Sequence, residues 1–211
     1  MSHDVNQARA EAEAFKALLE QKIQKLVLEF SEGKISREQF QMLYKRYNGR
    51  LAIANQALVS NTPEAIRIAQ SGPPTILVRD TYMGRAIGLV IYHNISGNLL
   101  ETLGKFHAPP TRVALILKEF ARLRGSNQYV ERRIEKIAES QWLLFTPGQY
   151  TTVVTLFENE PSPAQIREIE RLHHDFEQAN GTHLQHKEIK SAEMADPFII
   201  FVERWMQGAD K

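Results

Sequence analysis

Hydrophobic spacing changes once along this chain, and that change limits what it can fold into. Phe15, Leu19, Ile23, Leu26 and Phe30 step by four, four, three and four residues, so all five lie on one helical face. Phe40, Leu43, Tyr44, Tyr47, Leu51, Ala54 and Leu58 form a second stripe of the same period. Beyond Pro74 the pattern turns to strands, most plainly in Tyr150–Glu158, YTTVVTLFE, which is rich in β-branched residues. A helical first part followed by a mixed second part makes this an α+β chain. Its 211 residues leave room for one sizeable domain and a smaller helical piece.

Composition narrows the function classes. With 43% hydrophobic and 24% charged residues the chain can build a real core. Lys and Arg number 26 against 25 Asp and Glu, a net charge of +1, which argues against a nucleic-acid footprint. There is no Cys, so disulfides, zinc–thiolate sites, iron–sulfur clusters and thiol nucleophiles are excluded. The first residues are polar and rich in Ala and Glu, and they read as helix rather than signal peptide. The longest apolar runs, Ile87–Tyr92 and Phe198–Val202, fall far short of the roughly 20 residues a bilayer span requires. A cytoplasmic protein with no membrane and no nucleic-acid partner is expected.

The first unit, residues 1–60, reads as two antiparallel helices. Gly33 in SEGK suits the residue after a helix end, and Ser36 with Gln39 forms a capping box that restarts the helix. The Tyr47, Leu51 and Leu58 end of the stripe faces either a partner or the rest of the chain. These three are the candidate partner-binding face. The stretch LVLEFSEGKISREQFQMLYKRY, about 26–47, resembles the SHOCT module, a short helical segment with a Gly-x-Ile-Ser/Thr-x-x-Glu/Gln-Phe signature.

Residues 61–211 read as the second unit. Thr62 and Pro63 start a short helix, and TILVRD (75–80) reads as a first strand. TYMGRAIGLVIYHN gives a second strand, and ISGNLLETLGKFHAPP reads as a loop with some helical character. Thr111–Arg124 is a helix between Pro110 and Gly125, with Val113, Ile116, Leu117, Phe120 and Leu123 on its core face. Ala114, Leu115 and Ala121 widen its apolar surface, as in a helix buried on two sides. Three strands follow: 130–138, WLLF, and YTTVVTLFE, the last two joined at TPGQ by a type II turn with Gly148 at positive φ. Ser162, Pro163 and Gln165 cap a helix whose Ile166, Ile169, His173 and Phe176 face one way until Asn180 and Gly181 close it. Asp196 and Pro197 start a last helix with Phe198, Phe201, Val202 and Trp205 as its stripe.

From about 62 to 181 this order of elements resembles the roadblock/longin group of profilin-like domains. The resemblance implies a five-stranded antiparallel sheet flanked by helices, here preceded by an N-terminal helical hairpin. It also implies a non-enzymatic regulatory or scaffold role, with a small Ras-like GTPase as partner and a homodimer formed through the helix after the second strand. Here that helix carries Val113, Leu115, Leu117 and Ala121, the candidate dimer interface. Two other readings stand beside it: an enzyme or small-ligand-binding protein with a pocket between sheet and helices, and a structural coiled-coil assembly protein.

No motif nominates a catalytic residue or a cofactor. Gly-Lys-Ser/Thr phosphate loops, Gly-x-Ser-x-Gly elbows and His-Glu-x-x-His helices are all absent from the sequence. His183 and His186 form an i, i+3 pair that can share a metal on one helical face, but this spacing does not fix a ligand set, and no metal is expected. His173 reads as a packed imidazole with Glu170 as its hydrogen-bond partner, and His174 points elsewhere. Arg112, Lys118, Arg122, Arg124, Arg132 and Arg133 offer either a site for phosphate or an acidic partner surface or, the favoured reading, a solvated face balanced by Glu119, Glu131 and Glu135.

Overall fold

Two helices open the chain: α1, Ser2–Ser31, and α2, Arg37–Ser60. The computed structural model describes residues 2–60 and 75–186 and, singly, 189, 194, 195 and 198. The expected helix at Thr62 and nearly all of the expected last helix lie outside these residues. The chain divides into two compact units, Met1–Met83 and Gly84–Lys211. That division falls later than the 60/61 boundary expected from sequence, because the next element belongs to the first unit.

In the first unit α1 and α2 pack as an antiparallel hairpin. Leu19, Leu26, Ile35, Leu43 and Tyr47 fill its centre, and Ala12 meets Ala57 at the open end. Gly33 takes φ +71° between the helices, as its place after α1 requires. Ser36 Oγ accepts the Gln39 amide at 3.1 Å. The Gln39 side chain also reaches outward, and its Nε2 donates to the Arg79 carbonyl at 2.9 Å. Arg79 lies on α3, Thr75–Thr81, the stretch that the β-branched content of TILVRD predicts to be a strand. Tertiary contacts override that propensity. Val78 packs into the hairpin core, and the Arg79 guanidinium pairs with Glu29 at 3.1 Å.

The second unit is built on a five-stranded antiparallel sheet in the order β2-β1-β5-β4-β3. Its strands are β1 Arg85–His93, β2 Leu99–Gly104, β3 Arg133–Ala138, β4 Gln141–Pro147 and β5 Thr151–Glu158. The first strand pair is therefore 85–93 with 99–104, and the second of these corrects the loop expected there. Two helices complete the unit, α4 Pro110–Gly125 and α5 Pro163–Leu184. The capping box at the start of α5 is complete. Ser162 Oγ accepts from the Gln165 amide, Gln165 Oε1 accepts from the Ser162 amide, and Gln165 Nε2 donates to the Gly84 carbonyl at 2.7 Å. α5 runs to Leu184, past Gly181, and after α4 the left-handed residue is Asn127 (φ 52°) rather than Gly125.

Alternation along the strands sends side chains to two cores. Leu89, Ile91, Leu144, Val153 and Phe157 meet Ile166, Ile169, Leu172 and Phe176 of α5, and Phe198 joins them. On the other face Val90, Leu143, Phe145, Val154 and Leu156 meet Val113, Ile116 and Phe120 of α4. β5 is central and buried along nearly its whole length, so both cores hang on it. No helix among the described residues is long and apolar enough to cross a membrane.

Candidate functional site

The β4–β5 turn concentrates the buried polar groups of the second unit. Thr151 and Thr152 are adjacent on a strand, so they point to opposite faces of the sheet. Thr151 meets α5, and Thr152 meets α4. Each gathers a network around the same turn.

On the α5 side the centre is Glu177, whose side chain is 11% exposed. One carboxylate oxygen accepts from the amides of Tyr150 and Thr151 at 2.9 and 2.7 Å and from the Thr151 hydroxyl at 2.7 Å. The other accepts from the Gln149 amide at 2.9 Å. His173, one helical turn earlier, brings Nε2 to 2.7 Å from the Thr151 hydroxyl and 3.6 Å from the carboxylate. Because that hydroxyl donates to Glu177, it accepts from His173, so Nε2 carries the proton. Burial by itself raises the Glu177 pKa. The His173 ring, the Thr151 hydroxyl and the Gln149 amide outweigh it and hold the carboxyl at about 2, against an ordinary 4.5.

Asn94 does the opposite job on the other side of the turn. Its backbone amide donates to the Tyr150 carbonyl at 2.8 Å. Its side-chain amide lies 3.0 to 3.3 Å from the carbonyls of Gly148, Gln149 and Thr151. Its side-chain oxygen accepts from Thr152 at 2.8 Å. Glu177 thus takes the amides of this turn and Asn94 its carbonyls, which satisfies a hairpin end held against two helices. Arg124, at the end of α4, donates to the Thr152 hydroxyl at 3.0 Å and stands 6.0 Å from the centre of the Phe120 ring.

Gly148 is needed here for space rather than for φ, since the left-handed glycines among the described residues are Gly33, Gly97 and Gly104. The type II turn with Gly148 at positive φ is therefore not formed. A Cβ on Gly148 would lie 2.6 Å from Glu177 Cδ and 2.7 Å from its Oε2. Gly148→Ala is expected to push the carboxylate off the turn and lower stability by about 2 kcal/mol. Urea denaturation measures it.

A pH dependence follows from the same group. The folded pKa of Glu177 is depressed, so its contribution is complete above about pH 4.5 and is lost as the pH falls toward 2. With allowance for its partial exposure that contribution is about 2 kcal/mol. The stability gap between the wild type and Glu177→Gln is expected to be wide at pH 7 and to narrow steadily below pH 4.5. A gap that stays constant with pH would remove the charge from this account.

Beside this turn end, a groove of about 670 Å³ runs between α4 and the β1–β2 half of the sheet. Val90 of β1 joins β4 and β5 in the core under α4, and the groove lies beyond it, toward Tyr92 and β2. Tyr92, Leu99 and Phe106 line it opposite Leu117 and Ala121, with Lys118, Asn94 and Arg124 also on its walls. His93 borders the groove but is spent structurally. It lies 3.1 Å from the Leu184 carbonyl through Nε2 and 2.9 Å from the Ser96 hydroxyl through Nδ1, so Nε2 donates and Nδ1 accepts. A second recess of about 540 Å³ lies on another side of Arg124 and includes Glu170, His173 and Glu177.

The residues nominated from sequence fall in several places. Val113 is 3% exposed and belongs to the core under α4, so it is not available to a second subunit. Leu117 and Ala121 line the groove, while Leu115 is 65% exposed on the outer side of the helix. Tyr47 and Leu51 pack inside the hairpin core and Leu58 packs on its Ala12–Ala57 end, so these three serve the hairpin rather than an outward face. Burial raises the Tyr47 pKa, opposed by a hydrogen bond to the Thr75 side chain. Glu170 pairs with Arg132 at 2.8 Å, and the partners of His173 are Thr151 and Glu177. His174 is exposed, as expected. Arg133 pairs with Glu119 and Glu135, and Arg112 with Glu135, but Arg132 pairs with Glu170 instead, and among the described residues Lys118, Arg122 and Arg124 have no ion pair, so the expected balance holds only in part.

His183 and His186 are both exposed near the end of α5. Among the described residues no group of three or more His, Asp or Glu side chains is placed to hold a metal ion. Glu177, Asn94, His93 and the steric role of Gly148 were not singled out from sequence. The one available signal was spacing: Glu177 follows His173 at i, i+4 on the helix face that Phe176 and Asn180 also occupy. No protein-family model matches this chain, and no curated protein matches it.

Proposed function

We propose that this chain is a non-enzymatic regulatory or scaffold protein whose second unit works as a homodimer. The observation that carries this reading is Leu115, 65% exposed at the middle of α4 and flanked by the exposed Ala114. α4 already buries Val113, Ile116 and Phe120 in its own core, so the exposed Leu115, ringed by Arg112, Lys118, Glu119 and Arg122, is surplus to the fold. The element order and the strand order β2-β1-β5-β4-β3 support the roadblock/longin resemblance, and through it a small Ras-like GTPase as the partner class.

The state of the polar groups supports a role in binding rather than catalysis. Both oxygens of Glu177 and both nitrogens of His93 are taken up by groups of the fold. The His173 Nε2 proton is likewise committed to Thr151. A general base needs an available lone pair within reach of a substrate proton, and these groups hold a turn instead. Light scattering at micromolar concentration is expected to give twice the 24.2 kDa chain mass. A strict monomer would overturn the dimer.

A further inference from the structure

The groove beside α4 differs from an ordinary surface cleft in its charge. Its walls are apolar over most of their length, its lining includes Arg124 and Lys118, and it has no acidic residue. Its volume of about 670 Å³ lies within the range of small-molecule sites, about 300–1,000 Å³. The neighbouring recess on another side of Arg124 contains Glu170 and Glu177 and so disfavours an anion.

Arg124 is the informative residue. It is partly buried, and its Nη2 donates to the Thr152 hydroxyl at 3.0 Å and lies 3.5 Å from the Gly148 carbonyl. Among the described residues its Nε and Nη1 have no hydrogen-bond partner, and no carboxylate lies within ion-pair distance of it. Lys118 likewise has no ion-pair partner among the described residues. Asn94 has no donor left to offer, because its side-chain amide is shared among three carbonyls. The open donors are therefore those of the Lys118 ammonium and of the guanidinium, and the guanidinium has the fork geometry that suits a carboxylate.

We infer that this groove binds a small carboxylate with an apolar body, its charged end on Arg124 and its body along Tyr92, Leu99, Phe106 and Leu117. The site goes beyond the dimeric role proposed above. Leu115 is on the outer side of α4 and does not line the groove; of the two residues named for the dimer only Ala114 reaches it, so the site does not rest on Leu115. Ala114 and Ala121 are small, and they keep the helix side of the groove open to a chain or ring.

Decanoate is the test ligand, with decanol as the uncharged control of equal chain length, and calorimetry as the readout. Decanoate is expected to bind saturably, and decanol about tenfold or more weaker. Arg124→Met should weaken decanoate by about tenfold or more while leaving decanol unchanged. Ala121→Trp fills the groove from an exposed helix position, and it should abolish binding of both. Circular dichroism establishes that each variant is folded. Should Arg124→Met unfold, the decanol comparison and Ala121→Trp still decide the matter. Equal affinity for decanoate and decanol, absence of saturable binding, or full binding to Ala121→Trp would each overturn the inference. Binding confined to the Leu115→Glu variant would assign the groove to a second copy of the chain and would also overturn it. Unchanged oligomeric state in Leu115→Glu, with decanoate still bound, would sink the dimer and leave this site standing.

Discussion

Replacing Glu177 by Ala is expected to lower the stability of the second unit by about 3 kcal/mol, the largest single loss outside the apolar core. The magnitude follows from how much one carboxylate satisfies. It accepts from three consecutive amides, those of Gln149, Tyr150 and Thr151, and from the Thr151 hydroxyl. Each buried donor left without a partner costs about 1–3 kcal/mol, and water at this partly open turn recovers some of that. His173, 2% exposed, keeps its bond to Thr151 but loses the negative charge beside it. The same turn is held from the other side by Asn94, so Glu177→Ala loosens the hairpin end without opening the strands. Denaturation in urea at pH 7 measures the loss. A change within about 0.5 kcal/mol, the usual range for a surface substitution, would mean that the turn does not depend on the carboxylate.

Glu177 also shows where sequence reasoning ran out. The helix that carries it was fully legible. Ser162 and Gln165 announced its start, and the stripe from Ile166 to Phe176 announced its buried face. A carboxylate at the end of such a stripe reads as solvent-facing, however, because its partners are backbone amides of a turn and backbone leaves no mark in sequence. Gly148 was noticed for the conformational freedom of glycine, yet the property that matters is its missing Cβ. That need comes from a residue on another element.

The fold was legible where local propensity and tertiary packing agree. β5 is β-branched and central, and the helical hairpin has a regular stripe with Gly33 at its bend. It was illegible where they conflict. Ile76, Leu77 and Val78 favour a strand, but Val78 and Arg79 are fixed on the hairpin and the segment is helical. β2 carries Gly104 and Glu101 on a half-exposed sheet edge, so neither alternation nor a continuous apolar run marks it. The total of two strands before α4 was expected, with the wrong segment supplying one of them.

The apolar width of α4 was legible from sequence, but its use was not. Val113, Leu115, Leu117 and Ala121 share a helix and have three different surroundings: the core, the groove and the outer side. Of these four only Leu115 is surplus to the unit's own packing. The dimer therefore depends on Leu115 in a way that it does not depend on Val113.

Leu115→Glu tests this most directly. A carboxylate placed at the centre of an apolar interface stays solvated in the free subunit but must be desolvated in the dimer, a cost of several kcal/mol on each side of a symmetric contact. The expected loss of affinity is at least about 100-fold. Because Leu115 lies outside the core of its own unit, the variant should keep the circular dichroism and urea midpoint of the wild type. The measurement is light scattering of both proteins at equal micromolar concentration. The account predicts a dimer for the wild type and a folded monomer for Leu115→Glu. A Leu115→Glu protein that remains a dimer would contradict it.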